Sequence, residues 1–384
     1  MNILFILPST FPYKGGVERV TYLIAQSIRE RSVVSFALTE DVDVNQDGVF
    51  KDTISLKGLL PGGLLDFIDR NEIDLIVNQL SYDIRIVKLL QRIWFAPIIS
   101  CFHDSPTFYK DEIKMVLSAK HIPFFSVIKL RAMLKKVLLP VYEPYGKAFS
   151  ISCQLSARFI LLSEKFIAPF VETYHLQRYS NLDYINNPLS LDNFFEEDYS
   201  VKQKKVLVVS RLSDMKKRIS LILKMWKDIE QKLEAQGWSL IIVGDGGDEK
   251  KLKKLANDLK LAHCNFVGPQ KDVTDYYRQS SIFLMASTNE GWGLTITEAM
   301  QMGCVPVAFN TYLSLQDIIS NGEDGFIVPE CDTESFEAAI VNLMQNEEQR
   351  KVMASKGIRN SNKFSLSQTA DKWYNLFQSV IDAD

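Results

Sequence analysis

"SIFLMASTNEGWGLTITEAMQMGCVPVAF", residues 281–309, passes from one short apolar run to another through a glycine loop and a stretch of helical pattern. Neither run alternates apolar with polar residues, which is how strands read when helices cover a parallel sheet on both faces. Gly303 ends the helical part, "LTITEAMQMG", just before "CVPVAF" begins. The stretch is therefore a strand, a loop, a short helix and a strand, the repeating unit of an α/β fold.

Outward from it the same alternation continues. Apolar runs "NILFIL", "VVSFAL", "DLIVNQ", "PIISCF", "RFILLS" and "LDYIN" mark the first half, and "KVLVVS", "SLIIVG", "NFVG", "SIFLMAS", "VPVAF" and "GFIVP" the second. At 384 residues the chain exceeds one ordinary core, and two domains of roughly 150 to 200 residues are expected. The fold class is thus α/β, with two Rossmann-like, doubly wound parallel-sheet domains facing a cleft. Boundaries are expected at 1–187 for the first domain, 188–204 for a linker rich in Pro, Asn and charge, and 205–364 for the second. The closing segment 365–384 reads as a helix, with Trp373, Leu376, Phe377 and Ile381 at helical spacing, that returns to the first domain.

Composition is that of a soluble globular protein, 46% hydrophobic and 24% charged, and the net charge of -3 argues against a nucleic-acid partner. The five cysteines have no CxxC spacing, which fits reduced thiols in a cytoplasm better than a disulfide framework or a zinc site. The N-terminus lacks a basic region before its apolar run and meets Pro8 at once, so it reads as a first strand and not as a signal peptide. No window approaches the ~18 to 20 uninterrupted apolar residues of a membrane span.

Charged residues gather where strands end. In the opening stretch Glu290 lies in the loop and Glu298 about one turn into the helix. Two carboxylates so placed suit different hydroxyls of one ligand, with N–H groups near residues 291–295 free for a phosphate. A plainer reading is equally open, in which Glu298 favours the helix dipole and Glu290 is an exposed loop residue. Arg211 and Lys216 follow the strand "KVLVVS", where a guanidinium and an ammonium would clamp a diphosphate. The alternative is a solvated basic loop continuing into Lys217 and Arg218. Gly15 and Gly16, after the first strand, offer helix N-terminal amides to an anion or form only a tight turn. Asp245 and Asp248 in "VGDGGDEKKL" read as turn residues. GxGxxG and GxxxxGK[ST] are both absent from the chain.

The ordered set, a "GG" loop, "HDS", "VSRLSDMKK", "VGDGGDEKKL", "NFVGPQKDVTDYYRQSSIFLMAS" and "NEGWGLTITEAMQMGCVPV", resembles glycosyltransferase family 4, retaining nucleotide-sugar enzymes of GT-B fold. The resemblance spans both halves and is strongest over 205–330. It implies that Glu290 and Glu298 are the two glutamates of the E-x7-E motif, the first facing the donor sugar and the second bonding the nucleotide ribose. By the same resemblance Arg211 and Lys216 neutralise the donor diphosphate, and Gly291, Trp292, Gly293, Leu294 and Thr295 line sugar and phosphate through their backbones. Gly16 approaches the phosphates, and His103, in "SCFHDSP", lies near the reacting sugar. The chain departs from the family pattern at Ser210, at Trp292 and in "NNPLSLDNF".

The implied reaction moves a sugar, with retention, from a nucleotide diphosphate sugar, UDP favoured, to an acceptor hydroxyl in surface polysaccharide, lipopolysaccharide or glycolipid synthesis. No cofactor and no metal are expected, Asp41 to Asp43 only superficially resembling a metal-binding DxD. The partners are the donor and a saccharide or lipid-linked saccharide acceptor. Residues 125–140 place Val127, Leu130, Met133, Leu134, Val137 and Leu138 on one helical face and Lys129, Arg131, Lys135 and Lys136 around the other. Such a helix suits peripheral contact with anionic lipid at the inner face of the cytoplasmic membrane, or else a core-facing helix with a solvated basic side. Two other activities fit the motifs less well, a nucleotide-sugar epimerase and a non-catalytic sugar-nucleotide-binding subunit.

Overall fold

Every apolar run named above is a strand of a parallel sheet in the computed structural model, which describes residues 1–41, 48–59, 61–93, 95–118, 126–138 and 145–383. Two units result. The first comprises Met1–Ile113, Pro123–Ser190 and Phe364–Asp384, and the second Lys114–Ile122 and Leu191–Lys363. Both are α/β.

The first unit holds β1 (Asn2–Ser9), β2 (Val34–Asp41), β3 (Phe50–Ser55), β4 (Leu75–Asn78), β5 (Ile98–Cys101), β6 (Arg158–Leu161) and β7 (Leu182–Tyr184), in the order β3-β2-β1-β4-β5-β6-β7. The second holds β8 (Gln203–Val209), β9 (Ser239–Val243), β10 (Cys264–Gly268), β11 (Ser280–Met285), β12 (Val305–Phe309) and β13 (Phe326–Val328), in the order β10-β9-β8-β11-β12-β13. In each sheet the order reverses beside the first strand, between β1 and β4 and between β8 and β11. Doubly wound sheets open a crevice at the carboxyl ends of such a pair. β3 was not among the expected strands. Its sequence, "FKDTIS", is polar and largely exposed, as an edge strand permits.

Helices cover the sheets with apolar faces set by helical period. Ile219–Glu230 buries Ile219, Ile222, Leu223, Trp226 and Ile229, each large side chain contributing about 1.5–3 kcal/mol. The last helix, Leu366–Ile381, belongs to the first unit, where it packs on Gly16–Ile28 and sets Phe377 edge-on to Phe5 of β1 at 6.4 Å. An Arg31–Asp371 ion pair closes that contact.

The amphipathic segment corrects an expectation. Helix Val127–Leu138 buries Lys129 and Ala132 and leaves Val127, Ile128, Leu130, Met133 and Leu134 exposed. Its apolar face is turned outward, and Lys129 is not part of a solvated basic side. Arg131 and Lys135 remain exposed, the latter 5.3 Å from the Tyr109 ring. Residues 125, 139 and 140 and the side chains of Lys136, Val137 and Leu138 lie outside the described residues.

One lysine ties the amino ends of the second sheet. Lys202, just before β8, donates from Nζ to the carbonyls of Tyr277 (3.1 Å), Ser280 (2.8 Å) and Met302 (2.5 Å), and lies 4.6 Å from the Phe195 ring. These carbonyls lie before or at the start of β11 and before β12, so a single ammonium joins three strand entries. Lys202→Met should keep the apolar stem and lose the donor, lowering unfolding free energy by about 2 kcal/mol. Denaturant titration followed by circular dichroism reads the loss, and an unchanged midpoint would show the ammonium to be dispensable.

Candidate functional site

The loop after β8 is positioned by backbone contact. Ser210 N donates to Val243 O at 3.0 Å, Leu212 N to Asp245 O at 2.6 Å, and Asp248 N to Leu212 O at 3.0 Å. Gly244, with φ of 126°, makes this approach possible, because a Cβ there would lie 2.0 Å from Ser210 O. Asp248 also accepts from Asp214 N at 2.8 Å, so its carboxylate braces the cation loop as well as the turn it belongs to.

Four cations follow on this braced segment and divide into two kinds. Lys217 pairs with Glu290, and Arg218, in a left-handed conformation (φ 50°), donates to Glu330 at 2.7 Å. Both are half-buried. Arg211 and Lys216 are exposed and make no ion pair among the described residues. The basic run is therefore not uniformly solvated. Two members are paired with carboxylates and two carry no carboxylate partner among the described residues.

The glutamate loop lies beside them, since β11 neighbours β8. Thr288 N donates to Lys216 O at 2.8 Å, joining the two loops. Ser314 Oγ donates to Gly291 O at 2.9 Å. Gly293 precedes helix Leu294–Gln301 with φ of 91°, and a Cβ there would lie 2.7 Å from the Tyr312 hydroxyl. Gly291, Trp292 and Gly293 are buried, while Leu294 and Thr295, half-buried, open the helix with N–H groups that its first turn leaves without helical acceptors. The Trp292 side chain, 2% exposed, belongs to the interior.

Each glutamate has a defined neighbour that sequence reasoning missed. Glu290 is held by Lys217, and the buried Tyr312 phenol beneath has its pKa raised by burial and then by the Glu290 charge. Glu298 accepts from the Tyr277 hydroxyl at 2.8 Å, and burial followed by the Glu298 charge raises that phenol well above its ordinary value. Tyr277 thus stays protonated as a donor. No spacing in the sequence singles out these tyrosines.

In the first unit the expected residues follow β1 and β5. Gly16 is exposed and opens helix Gly16–Ile28, and Gly15 before it is extended (φ -167°), so neither position demands a left-handed backbone. His103 follows β5, with Nε2 hydrogen-bonded to Gln79 Oε1 and Nδ1 buried without a partner. Gln79, 3% exposed, is held at the end of β4 by its own N–H to Ile6 O at 2.9 Å. Burial pulls the imidazole pKa from 6.5 down to about 4. At neutral pH His103 is an uncharged ring that bonds through one fixed nitrogen.

Asp41, of the DxD-like stretch, pairs with Lys14, and Asp43 lies outside the described residues. Among the described residues no three histidine, cysteine or carboxylate side chains converge on a point that could hold a metal, and no helix is long and apolar enough to cross a membrane. The cysteines are unpaired, with Cys101, Cys153 and Cys304 buried.

Residues 191–360 match the family described as glycosyl transferases group 1. The amylovoran biosynthesis glycosyltransferase AmsD of Erwinia amylovora is 30% identical over 185 residues, 48% of this chain and 51% of that protein. The chain spans about half the length of the curated relatives it matches. Among solved structures, the pneumococcal O-GlcNAc transferase GtfA, crystallised with UDP and GlcNAc, superposes with a TM-score of 0.75 at 13% identity, over 99% of each chain. Anabaena Alr3699/HepE in complex with UDP gives 0.71 at 19% identity, over 99% of this chain and 100% of that one. The fold is GT-B.

His103 makes stability pH-dependent. Its folded pKa lies below the unfolded value, so the unfolded chain binds the extra proton between these two pH values. The contribution is full above pH 6.5 and is lost as pH falls towards 4, by up to about 3 kcal/mol. Melting temperatures of wild type and His103→Asn across that interval should converge as pH falls, and parallel curves would refute the assignment.

Proposed function

We propose that this chain, whose residues 191–360 form a glycosyl transferases group 1 domain, transfers a sugar from a nucleotide diphosphate sugar to an acceptor hydroxyl. The observation that carries the reading is the carboxyl edge of β8 and β11, where unpaired Arg211 and Lys216 adjoin a glutamate loop and a helix N-terminus. Unpaired cations suit a diphosphate. Held carboxylates suit hydroxyls.

In this reading Arg211 and Lys216 bind the donor diphosphate, with amides at Leu294 and Thr295 adding dipoles where the leaving charge develops. Those groups supply the charge stabilisation without a metal. Glu298 accepts from a ribose hydroxyl and Glu290 from the sugar. Gly16 and His103 are the candidate ligand contacts of the first unit taken by itself. The bond from the anomeric carbon to the diphosphate oxygen breaks as the acceptor oxygen bonds to that carbon on the same face, which retains configuration. The acceptor proton passes to the departing phosphate oxygen. UDP is the favoured nucleotide, supported by the UDP in the GtfA and HepE crystals. Surface polysaccharide or glycolipid assembly is the favoured setting, supported by the name of the amylovoran relative.

Titration with UDP, GDP and ADP followed by product analysis with their sugars tests this directly. Transfer that requires an acceptor supports the reading, epimerised donor without acceptor would replace it with an isomerase, and binding without turnover would leave a binding subunit. Glu290→Ala should lower turnover about 10- to 100-fold and Glu298→Ala should weaken donor binding by a similar factor, the worth of a charge-assisted hydrogen bond. Full activity and affinity in both variants would remove both from the site.

A lipid-linked acceptor is supported by helix Val127–Leu138, whose exposed apolar residues adjoin exposed Arg131 and Lys135. Sedimentation with anionic vesicles should weaken as salt rises and fall several-fold in a variant with Ile128, Leu130 and Leu134 changed to Ser. Undiminished sedimentation of that variant would take the helix out of membrane binding.

A further inference from the structure

Lys216 and Lys217 are adjacent, yet the second unit treats them differently. Lys216 is exposed and is fixed through its backbone, its N–H donating to Ser213 O at 3.1 Å and its carbonyl accepting from Thr288 N at 2.8 Å and Thr288 Oγ1 at 3.3 Å. Lys217 turns to the other side of the short helix Asp214–Lys217 and pairs with Glu290, the two side chains being 25% and 17% exposed. A carboxylate this covered needs a partner, and among the described residues Lys217 is the cation it pairs with. The pair and the Thr288 bonds are two ties between the same loops, one through side chains and one through backbone. Between them they define where the Glu290 carboxylate stands.

We propose that Lys217 is the positioning residue of Glu290, fixing the carboxylate so that its second oxygen meets the donor sugar, and that Lys217 does not itself bind the diphosphate. This rests on the transferase reading above. One Glu290 oxygen is occupied by the ammonium, which leaves Oε2 as the acceptor for a sugar hydroxyl. Arg211 and Lys216, without carboxylate partners, remain the phosphate cations. The role is specific to the sugar half of the donor, so it acts on transfer and leaves nucleotide binding intact.

The separating measurement sets UDP affinity beside turnover of the donor sugar for Lys217→Met, Lys217→Arg and Lys217→Met combined with Glu290→Gln. Lys217→Met should lower turnover about tenfold while UDP affinity changes less than twofold, the loss of one charge-assisted hydrogen bond to the carboxylate. Lys217→Arg should recover most of the rate. Added to Glu290→Gln, Lys217→Met should cost little more, because both changes disable one unit. A tenfold weaker UDP affinity would make Lys217 a phosphate ligand, and independent multiplicative losses would separate it from Glu290. Either result, or unchanged turnover in Lys217→Met, overturns the proposal. A wild-type protein that binds no nucleoside diphosphate and turns over no nucleotide sugar overturns the transferase reading, and this role with it.

Discussion

The placement of the charged groups on the second unit's carboxyl edge goes back to a steric constraint in the turn after β9, at Gly244 and Gly246. The chain leaving β9 passes so close to the chain leaving β8 that Gly244 has no room for a Cβ. That contact lets the backbone bonds among residues 210–214 and 243–248 form, and they fix the loop from which Arg211 and Lys216 project. Through Thr288 the same loop anchors the segment bearing Glu290. A larger residue at 244 would push apart the supports of several groups at once without touching any of them.

Much of the fold was legible because burial on both faces leaves continuous apolar runs, and twelve such runs mark strands. β3 was not legible for the opposite reason, since an edge strand with exposed residues carries no such run. Period also fails to tell which way a face turns. In Val127–Leu138 it identified residues that share a face, but not that Lys129 goes inward while Leu130 and Leu134 stay exposed. At the site, glycines, cations and glutamates stood out as residue types. What could not be read was partnership. In a helix consecutive side chains diverge by about 100°, so Lys216 and Lys217 look equivalent in sequence and are not in space. Tyr277 precedes β11 and Glu298 follows it, and only the folded chain joins them.

The edge combines two electrostatic situations. Lys217, Arg218 and both glutamates are held by specific partners, which settles their orientation before any ligand arrives. Arg211 and Lys216 are left as neighbouring like charges, raising the local positive potential in a chain whose net charge is -3. Held groups give geometry and unpaired ones give attraction.

The first unit takes its strands from residues before 191 and its last helix from 366–381, so nearly all of the second unit lies between them. Domains fold as they leave the ribosome, usually N-terminal first. In this chain the last element of the first unit follows the second unit in sequence. Only that last helix brings Phe377 against Phe5 of β1, with Trp373 beside Phe377. Without that helix the first unit lacks a layer over Phe5, and the apolar surface so bared is what a chaperone would have to shield.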